Sequence, residues 1–264
     1  MSIPTYSVFV ISHNRTECKT YNWLMNNGFN RDLFIVIDTE DKSIDEYRKL
    51  YGDRVLVFDK GDYDCDLFDN NPSRTSATFA RNACFDFAKE RGSEYLIIFD
   101  DDISGANYRF MVNGKLKSQK VTNVTAILDE IVKWVSCANN FGCASYNLAT
   151  NFRGVFDSLK KDPVSMFVVS SNDELRFRGR ASEDINFAYH MGLNGKFTLS
   201  INNILLNIPA FGNESQAGGY RDQTYGGYRR DWIVRFRKFI TPVSDGIIHW
   251  ANMFPKLLSY RYKK

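Results

Sequence analysis

Five uncharged residues, Tyr95-Leu96-Ile97-Ile98-Phe99, run directly into three aspartates, Asp100, Asp101 and Asp102. An apolar run of this length behind Arg91-Gly92-Ser93 predicts a strand buried on both faces. Such a strand cannot hold three unpaired carboxylates, because desolvating each costs several kcal/mol. The aspartates must therefore emerge at its carboxyl end, the edge where open α/β sheets bind ligands. Hard divalent cations take carboxylate oxygens, and Mg²⁺ typically combines one or two of them with substrate phosphates. The stretch predicts a metal–diphosphate site. The competing reading is a plain acidic turn, since Asp is common in turns.

Three further strands are expected before it. Ser7 to Ser12 ends in His13-Asn14-Arg15, Leu33 to Ile37 ends in Asp38-Thr39-Glu40-Asp41, and Val55 to Phe58 ends in Asp59-Lys60. Between them, helices are predicted over 16–27, with Tyr21, Leu24 and Met25 on one face and Gly28 as the stop, and over 43–51, with a third over 75–90. Strand and helix alternating at this spacing argue for parallel βαβ units. Parallel strands share a carboxyl edge, so His13, Asn14, Arg15, Asp38 and Asp100 to Asp102 are expected to converge on one ligand. No G-x-G-x-x-G follows the first strand, and no G-x-x-x-x-G-K-[ST] occurs, which speaks against dehydrogenase and ATPase chemistry.

Composition narrows the class further. A 44% hydrophobic, 25% charged chain of 264 residues buries a sizeable core. A net charge of +3 excludes a uniformly basic nucleic-acid binder. The five cysteines form no C-x-x-C pair, so neither zinc nor a disulfide framework is expected, only free thiols in a reducing compartment. No apolar run approaches the ~18 residues of a membrane span, and a soluble, cytoplasmic protein without membrane partners is expected.

The ordered set resembles the nucleotide-sugar half of a GT-A glycosyltransferase. It comprises a first strand ending in Asn14-Arg15, an acidic end to the second, Arg81-Asn82 on the helix before the central strand, and the D-x-D triplet. The resemblance implies a GT-A (Rossmann-like) α/β domain. Its mixed, mainly parallel sheet would be flanked by helices. Residues 1–104 would form the nucleotide-sugar half and 105–264 the acceptor half. It also implies Mn²⁺ or Mg²⁺ at Asp100 and Asp102. The donor, a UDP-sugar first of all, would meet His13, Asn14, Arg15, Asp38, Arg81, Asp100, Asp101, Arg178 and Arg180.

Downstream, residues 108–121 alternate around Asn113-Gly114, a strong hairpin signal. Residues 123–137 predict an amphipathic helix with Val124, Ile127, Leu128, Ile131, Trp134 and Val135 facing the core. Strands are expected over 141–146 and 164–170. In Arg176-Phe177-Arg178-Gly179-Arg180-Ala181-Ser182-Glu183-Asp184-Ile185-Asn186, Ser182 is placed to cap a helix whose first turn holds two carboxylates, a purely structural arrangement in itself. Inverting transfer needs one carboxylate to take the acceptor's proton. The stretch from Arg180 to Asn186, R-x-S-E-D-I-N, resembles the acidic acceptor-side motif of GT-A enzymes, with Asp184 as base and Glu183 as a ligand or structural residue, though the two roles can be exchanged. His249, after two isoleucines, is either a packed residue or, as in several GT-A families, a late metal ligand.

From Asn213 onward ten Lys and Arg face four acids, with Gly-Gly-Tyr-Arg occurring twice within 212–231. That composition suits a lid over the diphosphate or contact with a nucleic-acid backbone. D-D-D-I and R-x-S-E-D-I-N-F-A together are similar to phage DNA-base glycosyltransferases associated with TET/JBP-type hydroxylases. That family implies transfer of a sugar onto a hydroxymethylated pyrimidine in DNA, in the host cytoplasm, with the base extruded. Other readings are a glycan, lipid or protein acceptor, a nucleotidyltransferase using the same aspartates, and a non-catalytic DNA-binding module.

Overall fold

The computed structural model describes residues 2–65, 74–149, 163–179 and 183–208. The apolar runs become β1 (Tyr6–Ile11), β2 (Leu33–Asp38), β3 (Val55–Phe58) and β4 (Tyr95–Asp100). They pair in parallel in the order β3-β2-β1-β4. The crossovers are α1 (Lys19–Asn26), α2 (Ile44–Tyr51) and α3 (Ala77–Glu90). Gly28 sits at φ +80 just past α1, the left-handed conformation that ends a helix without a Cβ penalty. The Ser76 hydroxyl accepts from the Thr78 amide at 3.2 Å and caps α3.

Beyond β4 the chain departs from simple alternation. A hairpin, β5 (Gly105–Val112) and β6 (Lys115–Lys120), turns at Asn113 and Gly114, both at positive φ as a type I′ turn requires. There follow α4 (Val124–Val135), β7 (Phe141–Leu148), β8 (Met166–Ser170), α5 (Glu183–Leu193) and β9 (Phe197–Asn207). The full order is β3-β2-β1-β4-β8-β7-β9-β5-β6. β8 runs antiparallel between β4 and β7, while β9 is parallel to β7. The sheet is therefore mixed, and parallel throughout its first four strands. The carboxyl ends of β1, β2, β3, β4, β7 and β9 all lie on one edge.

Apolar clusters cover both faces. Trp23 and Leu24 of α1, Tyr47 of α2 and Val124, Leu128 and Val132 of α4 belong to one core. Phe79 and Phe85 of α3, Phe187 and Met191 of α5 and the intervening Phe177 belong to the other. Two positions correct the sequence reading. Trp134 is 49% exposed and Met25 40% exposed. Trp134 and Val132 lie on opposite borders of the α4 stripe, and the sheet lies on the Val132 side. In α1 the buried face is Thr20, Trp23 and Leu24, turned away from Met25. Burial raises the thiol pKa values of Cys18, Cys84 and Cys143, as expected of inert packed cysteines.

Candidate active site

The strand ends do converge. His13 Nδ1 lies 2.9 Å from Asp38 Oδ2. Asn14, at φ 52, takes its amide to Asp41 at 2.7 Å and sets its side chain 2.7 Å from His13 Nε2. Lys60, beyond β3, reaches Asp38 at 3.0 Å and Glu40 at 2.9 Å. The loops after β1, β2 and β3 are thereby tied into one charged cluster.

Burial pushes the Asp38 carboxyl up, but hydrogen bonds from His13 and Lys60 and their charges reverse the sign and hold it at about 2. A carboxyl lowered in this way contributes stability that is complete above its unfolded value, about 3.9. That contribution fades as pH falls through the folded one. Asp38→Asn is expected to lower the unfolding free energy by about 2 kcal/mol at neutral pH. About half of that loss should remain near pH 3. Urea titration at both pH values checks it, and an equal loss at both would refute the ion-pair account.

The triplet turns the chain out of β4 at Asp100. Asp101 points inward and is 6% exposed, while Asp100 and Asp102 are half-buried at the edge. Ser12 Oγ donates to Asp101 at 2.6 Å, and Arg15 Nη1 stands 3.3 Å from it. Burial nevertheless keeps the Asp101 pKa raised. Thr20 braces the turn from α1. Its hydroxyl donates to the Asp100 carbonyl at 2.5 Å and accepts from the Ile103 amide at 2.9 Å. Burial, with Asp100 and Asp101 alongside, pushes Asp102 up to about 6.

The second acidic motif meets the first through Arg81. This guanidinium, buried on α3, reaches Asp100 Oδ1 at 3.0 Å and Glu183 Oε1 at the start of α5. It lies over the rings of Phe167 and Phe177, 4.7 and 5.5 Å from their centroids. Burial works against its charge, but Glu183, Asp100 and Asp184 outweigh that and raise its pKa. Phe177 in turn stacks on Phe187 at 3.9 Å, which fixes α5 against the segment before it. Asn186 donates to the Arg178 carbonyl at 2.8 Å. Arg178 lines a cavity of about 360 Å³ with Asn82, Asp86, Glu174, Arg176 and His190. Arg180, His249 and 212–231 lie outside the described residues.

Asp100 and Asp102 offer hard oxygen donors, and the like-charge crowding at Asp102 is what a cation would relieve. Among the described residues no group of three His, Cys, Asp or Glu is placed to hold a metal. Asp100 and Asp102 are the described residues that could hold a divalent ion, with substrate phosphate and water needed to complete its shell. Ser12, Thr20, Asp41 and Lys60 are absent from the sequence-predicted set. Ser12, Asp41 and Lys60 do carry a signal there, as polar residues at strand ends, while Thr20 carries none.

The family model for TET-associated glycosyltransferases matches residues 6–211. The chain belongs to that family. It is a glycosyltransferase, and its architecture is that of the GT-A enzymes. Glucosyl-3-phosphoglycerate synthase from Mycobacterium tuberculosis, in complex with Mg²⁺ and UDP, aligns with 91% of this chain and 81% of its own at 11% identity and a TM-score of 0.51. The same protein with Mn²⁺, UDP-glucose and phosphoglyceric acid gives 11% identity, the same coverage and a TM-score of 0.48. GalNAc-T7 with UDP, GalNAc and Mn²⁺ gives 13% identity and a TM-score of 0.47 over 78% of this chain and 44% of that one. No curated protein sequence matches this chain. No helix among the described residues of this TET-associated glycosyltransferase is long and apolar enough to cross a membrane.

Proposed function

We propose that this glycosyltransferase moves a sugar from a nucleotide sugar, UDP-linked first of all, onto the hydroxymethyl group of a modified pyrimidine in DNA, with inversion. The observation that carries the reading is Arg81, whose single guanidinium ties Asp100 of the triplet to Glu183 of the acceptor-side motif. Two acidic motifs 83 positions apart in the chain are thus parts of one site. Residues 1–104 would hold the nucleotide sugar, with His13, Asn14, Arg15 and Asp38 beside the nucleoside. Residues 105–264 would form the acceptor side.

Asp184 is assigned as the base, and Glu183, paired with Arg81, as the acceptor-side or structural carboxylate. Asp184 takes the proton from the acceptor hydroxyl as its oxygen bonds to the anomeric carbon. The bond from that carbon to the diphosphate oxygen breaks on the opposite face, and the electron pair leaves with the nucleoside diphosphate. A Mn²⁺ or Mg²⁺ at Asp100 and Asp102 would supply Lewis-acid stabilisation of that diphosphate. Asp101, held by Ser12 and Arg15, fixes the turn that presents its two neighbours. The acceptor class is supported by the family's association with TET hydroxylases, which oxidise pyrimidine methyl groups.

The test is product mass. The full chain is incubated with Mn²⁺, a panel of nucleotide sugars, and duplex DNA with or without 5-hydroxymethylpyrimidines. One added hexose or pentose on hydroxymethylated DNA alone is the expected result. An added nucleotide, or sugar transferred only to glycan, lipid or protein, would overturn the reading.

A further inference from the structure

The β5–β6 hairpin takes no part in the site just described, yet it grows directly out of it. Two residues separate Gly105 from the triplet, and the Ser104 amide donates to the Asn207 carbonyl at 2.9 Å. Only the root of β5, Gly105 to Tyr108, pairs with β9. Among the described residues, Arg109 to Val112 and Lys115 to Ser118 pair only with each other. Four residues of strand beyond the root give an arm about 13 Å long before the turn.

The arm's chemistry is one-signed. From Ile103 to Leu128 there is no Asp or Glu, while Arg109, Lys115, Lys117 and Lys120 lie within the hairpin. Every residue of β6 is exposed. Opposed residues of an antiparallel pair share a face. Val112 with Lys115, Phe110 with Lys117 and Tyr108 with Gln119 therefore form one face, and Met111 with Leu116 lies on the other. Phe110, Met111, Val112 and Leu116 are 39, 53, 42 and 37% exposed. Lysines on an edge strand also discourage unwanted strand pairing. That role needs charge alone, and would leave four apolar side chains in water for no return.

We infer that the β5–β6 hairpin is a duplex-DNA docking arm. It lays its lysines along the phosphates and its apolar side chains into a groove beside the nucleotide presented to the site. This rests on the DNA-acceptor reading above. A two-stranded ribbon is one of the two elements the major groove admits, at about 12 Å wide. Cations without intervening acids suit a polyphosphate backbone. Exposed apolar side chains gain by leaving water against sugar and base edges. An arm rooted next to the triplet holds the duplex while one base is extruded toward Asp184.

The test compares the parent chain with a triple variant, Lys115→Ala/Lys117→Ala/Lys120→Ala, and with Phe110→Ser/Val112→Ser. Duplex binding is measured across salt concentration, transfer to duplex DNA and to the free hydroxymethylated nucleoside is assayed, and hydrolysis of the nucleotide sugar by water reports the intact fold. The triple variant is expected to bind duplex about tenfold more weakly, with a salt slope shallower by 2 to 3. The apolar variant should weaken binding with its slope unchanged. Hydrolysis and nucleoside transfer should stay at the parent's level in both.

Transfer to DNA with unchanged affinity and slope in the triple variant would sink the arm and leave the acceptor reading standing. A parent that binds duplex through the lysines yet glycosylates only another acceptor would keep the arm and sink the acceptor. A parent indifferent to duplex, or one whose lysines instead govern binding to phosphatidylserine vesicles, would overturn the arm outright.

Discussion

Arg81→Met is expected to destabilise the protein by about 3–5 kcal/mol, because removing one member of a buried ion network leaves the others charged and unpaired. Asp100 and Glu183 lose their shared partner, and Asp184 loses a nearby positive charge. Stacking on Phe167 and Phe177 goes too, though methionine fills much of that apolar volume. The charge account makes a sharper claim than the size of the loss. Adding Glu183→Gln to Arg81→Met should restore part of the stability, since an uncompensated carboxylate becomes a neutral amide. If the double variant unfolds at lower urea than Arg81→Met alone, the network is not the source of the loss. Arg81→Lys separates folding from function. A lysine keeps the charge, but one ammonium replaces the planar fork whose two nitrogens reach two different carboxylates. It should recover more stability than activity.

How much of this was visible in the residues depends on distance along the chain. The parallel half was legible because each buried strand is a short apolar run followed by polar residues, and parallel pairing forces those ends onto one edge. His13, Asp38 and the triplet meet there for that reason alone. Strand β9 was equally legible in principle, since Phe197, Leu199 and Ile201 alternate with Thr198, Ser200 and Asn202, but the sequence reading does not name it. Asp101 lies in the turn beyond β4, where no strand period applies, and its inward placement follows from its contacts with Ser12 and Arg15. The partner of Arg81 is another matter. Phe79, Ala83 and Phe85 mark the same helix as core, so a buried arginine demands carboxylates. No local pattern says that one of them is 102 residues away. The antiparallel insertion of β8 between β4 and β7 decides that contact. Insertions of this kind are set by tertiary packing and not by propensity.

Asp102→Asn should act in opposite directions on fold and on turnover. In the folded chain this carboxylate is pushed up to about 6 by burial and by Asp100 and Asp101 beside it. A raised carboxyl pKa means that the ionised form is disfavoured in the native state, so the ionised group costs stability above its unfolded pKa. With solvent screening at this half-buried position allowed for, an amide should stabilise the metal-free protein by on the order of 1–2 kcal/mol at pH 7. The same change should lower sugar transfer about a thousandfold, the several kcal/mol that charge stabilisation of a departing diphosphate is worth. Asp101→Asn separates local crowding from diphosphate chemistry. It also reduces crowding at the triplet, but it disturbs the Ser12 and Arg15 contacts that hold the turn. It should therefore gain little or no stability and lose less activity. Melting temperature without metal and turnover with saturating Mn²⁺ are the two readouts. If Asp102→Asn lowers both, the carboxylate is a scaffold residue. If it raises stability and spares transfer, the cation and the diphosphate are held elsewhere. Gain of one with loss of the other is what a residue retained for chemistry, at a cost to the fold, must show.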